Sequence, residues 1–164
     1  MNTAYLGLGA NIDDPHQQLI TGLLALRDMP DIQLLEYSSF YSSRPLGPQD
    51  QPDFVNAVAK ISTTLSPLQL LDALQTQELH QGREKRRHWG ERCIDFDILL
   101  FNDLLLNSDR LTLPHKELIQ RSFVVTPLLE LTPDLRLPDG QLLAQVHPKF
   151  DGDLQKSHRP FVDL

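Results

Sequence analysis

Two aspartates, Asp95 and Asp97, interrupt an otherwise apolar run, Ile94-Asp95-Phe96-Asp97-Ile98-Leu99-Leu100-Phe101. In a strand, side chains alternate between faces, so both carboxylates leave one face while Ile94, Phe96 and Ile98 leave the other. Two carboxylates whose Cα atoms lie ~6.5–7 Å apart are costly to crowd without a cation between them. Magnesium takes oxygen ligands and accepts one or two carboxylates together with phosphate oxygens. Two such ions ~3.5–4 Å apart could clamp a triphosphate for in-line displacement. Asp-x-Asp is common, however, and alone it reads more readily as two charges on a solvated sheet face.

The neighbouring residues change that balance. Upstream, Gly82–Arg92 holds Arg83, Lys85, Arg86, Arg87 and Arg92, bounded by Gly82 and Gly90, with Trp89 inside the cationic run. Guanidinium forks match phosphate oxygens, and glycines let such a loop close over a ligand and exclude water. Trp89 could close against a flat ring. Leu71, Leu74, Gln75 and Glu78 share one helical face that turns polar toward Gly82, so the polar pair faces either the site or solvent. Pro114-His115 with Arg121 and Phe123 offers phosphate-binding groups beside an aromatic ring, and Phe54-Val55-Asn56 sets an aromatic beside a carboxamide. That carboxamide both donates and accepts, which suits the amide edge of a heterocycle. Each of these residues taken singly is as well explained by structure. Gly7-Leu8-Gly9-Ala10-Asn11 lacks the lysine and third glycine of the phosphate-loop patterns and reads as a tight strand exit.

The elements that must hold these groups follow from periodicity and punctuation. Thr3–Gly9 is a predicted strand. Asp14 caps a helix with Pro15 at its first position and an apolar stripe of Leu19, Ile20, Leu23, Leu24 and Leu26, ended by Met29-Pro30. Ile32–Tyr41 is a second strand, the proline-rich Ser42–Asp53 a loop, and Phe54–Thr63 a third strand. Ser66-Pro67-Leu68-Gln69 has the form of a capping box opening a helix to about Gln81. Ile94–Phe101 is the fourth strand. This order predicts an α+β, ferredoxin-like βαββαβ sandwich. A hairpin around Leu104–Leu113 and short helices near Pro114–Gln120 and Pro127–Leu131 extend it. Residues 1–150 are expected to form one domain and the polar residues 151–164 a tail.

At 164 residues and 40% hydrophobic content the chain can build one core. A net charge of −7 argues against nucleic acid or an anionic membrane as partner, while the clustered cations suit a small anionic ligand. The single cysteine, Cys93, rules out an internal disulfide and points to a reducing, cytoplasmic setting. No apolar run approaches membrane-spanning length, and no targeting segment is expected.

Three separated motifs together resemble the 6-hydroxymethyl-7,8-dihydropterin pyrophosphokinase family: Pro45-Leu46-Gly47-Pro48-Gln49-Asp50-Gln51-Pro52-Asp53-Phe54-Val55-Asn56, then Arg83 with Trp89-Gly90-Glu91-Arg92-Cys93-Ile94-Asp95-Phe96-Asp97-Ile98, then Leu113-Pro114-His115 with Arg121 and Phe123. The similarity runs from about Thr3 to Val146. It implies a folate-pathway enzyme of ferredoxin-like fold that transfers pyrophosphate from ATP to the hydroxymethyl group of the reduced pterin and releases AMP; a monomer is expected. By the same resemblance, Asp95 and Asp97 would hold two magnesium ions. Arg83 and Arg92 would be catalytic cations. Gln75, Glu78, Trp89, Ile98, Arg110, Thr112, His115 and Arg121 would contact ATP. Phe54 and Phe123 would sandwich the pterin, with Pro45, Leu46 and Asn56 around it. Glu91, Phe96, Lys116 and Arg44 depart from the usual pattern.

Overall fold

The computed structural model describes residues 1–44, 50–82, 93–146 and 154–156. The chain is an α+β protein in which, among the described residues, three α-helices pack on an antiparallel sheet. Strand β1 (Asn2–Ala10) lies between β4 (Phe54–Thr63) and β5 (Asp95–Phe101). The other edge of the ten-residue β4 is shared by two short strands, β2 (Ile32–Tyr37) and β3 (Tyr41–Ser43).

Local sequence explains the first two helices. Helix α1 (Pro15–Asp28) starts with Pro15 at its first turn and Asp14 Oδ1 accepting from Gln17 N–H. It buries Leu19, Leu23 and Leu26 completely, each such burial contributing roughly 1.5–3 kcal/mol. Helix α2 (Pro67–His80) carries the full capping box, with Ser66 Oγ accepting from Gln69 N–H and Gln69 Oε1 from Ser66 N–H. Both helices pack on the face of β1 that presents Ala4, Leu6, Leu8 and Ala10.

The opposite face carries a second apolar cluster. Tyr5, Val58 and Leu99 pack there against Val124, Val125 and Leu128 of helix α3 (Ser122–Leu131). A hairpin, β6 (Leu106–Asn107) with β7 (Thr112–Leu113), follows β5 where the sequence predicts one. Strand β8 (Gln155–Lys156) pairs with β3, so part of the polar 151–164 segment adds a short strand at the sheet edge.

Two element boundaries differ from the sequence reading. The expected single strand Ile32–Tyr41 breaks at Ser38–Phe40, where Ser38 Oγ accepts from Val58 N–H at 2.9 Å and donates to Ser39 O at 2.8 Å. A serine hydroxyl thus replaces a ladder bond and bends the chain. Helix α3 begins five residues before Pro127, not at it, because Val124 and Val125 N–H both donate to Arg121 O. The region near Pro114–Gln120 closes as a single 3-10 turn, Leu118–Gln120.

Candidate active site

A cavity of about 310 Å³ opens on the sheet face beside α3. Its floor is built by alternation. Gly9 of β1 lies in register between Asn56 of β4 and Asp95 of β5, and Gly7 between Val58 and Asp97. A side chain on either glycine would fill this floor. A Cβ on Gly9 would stand 3.0 Å from Asn56 Oδ1, and one on Gly7 3.5 Å from Leu99 Cδ2. The Gly7-Leu8-Gly9 run thus forms the cavity floor in the last residues of β1, just before the strand ends at Ala10. Asn11, which follows it, is buried and donates to Gln51 Oε1 and Pro52 O, both at 2.9 Å, tying the loop before β4 to the end of β1.

Asp95 and Asp97 both line the cavity, while Phe96 between them is buried against α1. Sequence alternation within β5 thus places the pair as expected. The Phe96 backbone N–H donates to Glu78 Oε2 of α2 at 2.8 Å. Among the described residues β5 is the edge of the sheet, and this carboxylate satisfies an N–H on its outer side.

His115 arrives through a β-bulge. The β1–β5 register shifts between Tyr5 and Leu6, skipping Leu99, and Leu99 O accepts from His115 N–H at 2.9 Å. This places His115 Nε2 3.9 Å from Asp97 Oδ1. His115 Nδ1 accepts from Glu117 N–H at 3.2 Å, so the neutral ring carries its proton on Nε2, on the Asp97 side. Burial pushes the imidazole below its ordinary range, more than the opposing charge of Asp97 raises it. Arg121 pairs with Glu117 across the Leu118–Gln120 turn, and its guanidinium lies 5.5 Å from the centre of the Phe123 ring.

Phe54, Asn56 and Phe123 line the same cavity. Asn56 is buried, and its Nδ2 donates to Ser43 Oγ at 2.7 Å. Arg44 and Lys116 also border the cavity. Five expected positions lie away from its lining. Glu78 is engaged with β5, Ile98 is in the core under α1 and α2, and Thr112 sits in β7. Arg110 reaches Asp72 Oδ1 at 2.6 Å and Gln75 Oε1 at 3.3 Å, forming a separate polar group with α2. Pro45, Leu46, Arg83, Trp89 and Arg92 lie outside the described residues. Cys93 donates from Sγ to Asp13 Oδ2 at 2.9 Å and ties the chain just before β5 to the turn before α1.

The pattern of the 7,8-dihydro-6-hydroxymethylpterin-pyrophosphokinase family matches residues 5–133. The chain belongs to this family. It is 50% identical over 150 residues to the 2-amino-4-hydroxy-6-hydroxymethyldihydropteridine pyrophosphokinase of Haemophilus influenzae, covering 92% of this chain and 94% of that one. The protein of the same name from Pseudomonas aeruginosa is 49% identical over 142 residues, covering 87% of this chain and 88% of that one. In solved structures the fold recurs in the Plasmodium falciparum HPPK-DHPS chain, with TM-score 0.61 and 17% identity over 84% of this chain. The present chain spans 41% of that longer protein.

The donor set fits a hard divalent cation. Among the described residues no group of three or more His, Cys, Asp or Glu could hold a metal. A pair of carboxylates facing one cavity suits magnesium, which takes one or two carboxylates and completes its shell from phosphate and water. Among the described residues no helix is long and apolar enough to cross a membrane.

Proposed function

We propose that this cavity transfers the pyrophosphoryl group of ATP to the hydroxymethyl group of 6-hydroxymethyl-7,8-dihydropterin, in folate synthesis. The observation that carries this reading is the meeting, in one cavity, of a carboxylate pair and an aromatic–carboxamide group. A flat heterocycle lies between Phe54 and Phe123 with its amide edge on Asn56. Its hydroxyl then points toward the polyphosphate that gathers at Asp95 and Asp97. The hydroxyl oxygen forms a bond to the β-phosphorus. The bond from that phosphorus to the oxygen bridging the α-phosphate breaks, AMP leaves, and the hydroxyl proton is released.

Asp95 and Asp97 would hold two magnesium ions, which when bound neutralise polyphosphate charge and polarise phosphoryl oxygens. His115 presents its Nε2 proton as a donor, and Arg121 supplies positive charge beside the ring. Arg83 and Arg92 are assigned as further catalytic cations, Trp89 as a nucleotide contact, and Pro45 and Leu46 as pterin contacts, all on the family's motifs. Gln75, Arg110, Thr112, Ile98 and Glu78 form the nucleotide side across the β5 edge. The adjacency of Gln75 and Arg110 supports this grouping. Positioning and electrostatic stabilisation supply most of the acceleration, as in phosphoryl transfer generally.

The sheet order β5-β1-β4 with β2 beyond β4, antiparallel throughout, supports a ferredoxin-like description of the core. The protein is assigned as a cytoplasmic monomer with one catalytic domain over residues 1–150, a polar segment 151–164, and no nucleic-acid or membrane partner. Incubation with ATP, magnesium and the hydroxymethyl dihydropterin tests the reaction. AMP with pterin diphosphate is expected. ADP would make it an ordinary kinase and released pyrophosphate a nucleotidyl transferase, and either result would overturn the proposal.

A further inference from the structure

A carboxylate outside the cavity ties the helix that carries Phe123 to the chain beside the strand that carries Phe54 and Asn56. Glu130 lies near the end of α3, and its Oε2 accepts from Ser39 N–H at 2.8 Å and Ser39 Oγ at 2.9 Å. Its Oε1 accepts from Tyr41 Oη at 2.5 Å. The donors belong to Ser39, between β2 and β3, and to Tyr41, the first residue of β3. Ser39 and Tyr41 are both buried, at 4% exposure each, where donors are costly to leave unmade. Burial opposes charge on Glu130, yet the bonds from Tyr41 and Ser39, with the Lys156 charge, hold its carboxyl below the ordinary range.

Glu130 gives the stretch 39–41 its tie to α3. Strand β3 makes only three register pairs with β4, Tyr41 with Asn56, Ser42 with Val55 and Ser43 with Phe54. Strand β3 also pairs with β8 at Tyr41 and Ser42, and Ser38 bonds Val58, but the ladder to β4 ends after three residues. Yet it decides where Asn56 points, because Ser43 Oγ receives the Asn56 amide at 2.7 Å. Glu130 also stands seven residues after Phe123 on α3, so the two share a helix face. One carboxylate therefore links the helix bearing Phe123 to the strand that orients Asn56 and Phe54.

We propose that Glu130 is a positioning residue for the heterocycle: through Ser39 and Tyr41 it sets the spacing between Phe123 and the Asn56–Phe54 edge. The proposal rests on the ring-binding role assigned above. It assigns to Glu130 no contact with substrate, and it separates the two substrates energetically. Loosening the clamp blunts recognition of the ring and leaves the polyphosphate groups on β5 as they were.

The test uses the full chain with Glu130→Gln, Tyr41→Phe and Ser39→Ala, assayed below each variant's melting temperature. Tyr41→Phe keeps the ring and removes only the hydroxyl, so it carries the test should Glu130→Gln fail to fold. KM for the hydroxymethyl dihydropterin is expected to rise about tenfold in Glu130→Gln and about threefold to tenfold in Tyr41→Phe. KM for ATP and kcat should stay within about twofold. Calorimetric titration with the unreactive oxidised 6-hydroxymethylpterin should show the same weakening. A parallel rise of both KM values, or an unchanged pterin KM in a folded variant, would assign Glu130 to stability alone and overturn the inference. Wild-type chain that forms no AMP would overturn the functional reading itself, and this inference with it. Normal wild-type turnover with insensitive variants would overturn only the inference.

Discussion

Phe96 separates the two cavity aspartates, and the structure makes room for its ring at Gly22. A Cβ built on Gly22 of α1 would lie 3.0 Å from Phe96 Cζ, 3.4 Å from Phe96 Cε1 and 3.4 Å from Leu8 Cδ2. Phe96 is 5% exposed and Leu8 2%, so neither can retreat into solvent. Gly22→Ala should gain about 1 kcal/mol from helix propensity and lose about 1–3 kcal/mol to overpacking, a net loss of up to about 2 kcal/mol. For a chain of this size that lowers the melting temperature by up to roughly 8 °C. Phe96→Leu alone leaves a gap under the helix and also destabilises. In the double variant the added methyl enters the space the ring has left. The pair should therefore be more stable than the sum of the single changes by about 1–2 kcal/mol. Urea unfolding of the four proteins measures this cycle. A second readout follows from position: pushing Phe96 displaces the strand between Asp95 and Asp97, so Gly22→Ala should lower kcat and the double variant should recover it. Additivity of the two changes within about 0.5 kcal/mol, with kcat unmoved in Gly22→Ala, would refute the packing assigned to this pair.

The cavity floor gives a second expectation. Gly9→Ala would press on Asn56 Oδ1 at 3.0 Å while Asn56 Nδ2 is held by Ser43, so pterin KM should rise about tenfold or more with little change in melting temperature. Asp97 is about half exposed, so Asp97→Ala should keep the fold by circular dichroism yet lower kcat by at least ~100-fold with magnesium present. Wild-type turnover there would remove the metal role. Glu130 predicts a pH dependence: its folded value lies below its unfolded one, so its stabilisation is complete above the unfolded value and is lost as pH falls through the folded one. The stability gap between wild type and Glu130→Gln should thus narrow below about pH 4, and an equal gap at pH 3 and pH 7 would contradict the assignment.

The parts of the fold legible from sequence are those specified within one turn of chain. The Ser66–Gln69 capping box and the Asp14-Pro15 start each involve residues three or fewer apart, and both form as read. The parity of Asp95 and Asp97 is local too, since alternation within β5 fixes it. The break between β2 and β3 is not local. It depends on Val58, twenty residues away, and on Glu130, ninety-one residues from Ser39. The run of β-forming residues from Ile32 to Tyr41 carries no trace of either partner. The start of α3 was hidden differently, because Pro127 is a strong local marker that the helix tolerates in its interior.

The site follows the same division, with one addition. Glycines at positions 7 and 9 are spaced like strand residues on one face, and this period-two spacing was visible in the sequence. What it meant required the registers to β4 and β5, which set Gly9 between the cavity residues Asn56 and Asp95, and Gly7 beside Asp97. Glu78 shows the converse. Its helical face was read correctly as turning polar, yet periodicity says which residues share a face and not which neighbour that face meets. The neighbour is the outer side of β5, the sheet edge among the described residues, where Glu78 accepts from the Phe96 N–H. A buried carboxylate at such an edge is specified by the sheet's ending there. Glu78 holds the backbone between the two aspartates: the N–H that it accepts from belongs to the residue whose ring packs against Gly22. Phe96 is thus fixed from the helix side by packing and from the edge by a hydrogen bond, and the two carboxylates facing the cavity inherit that placement.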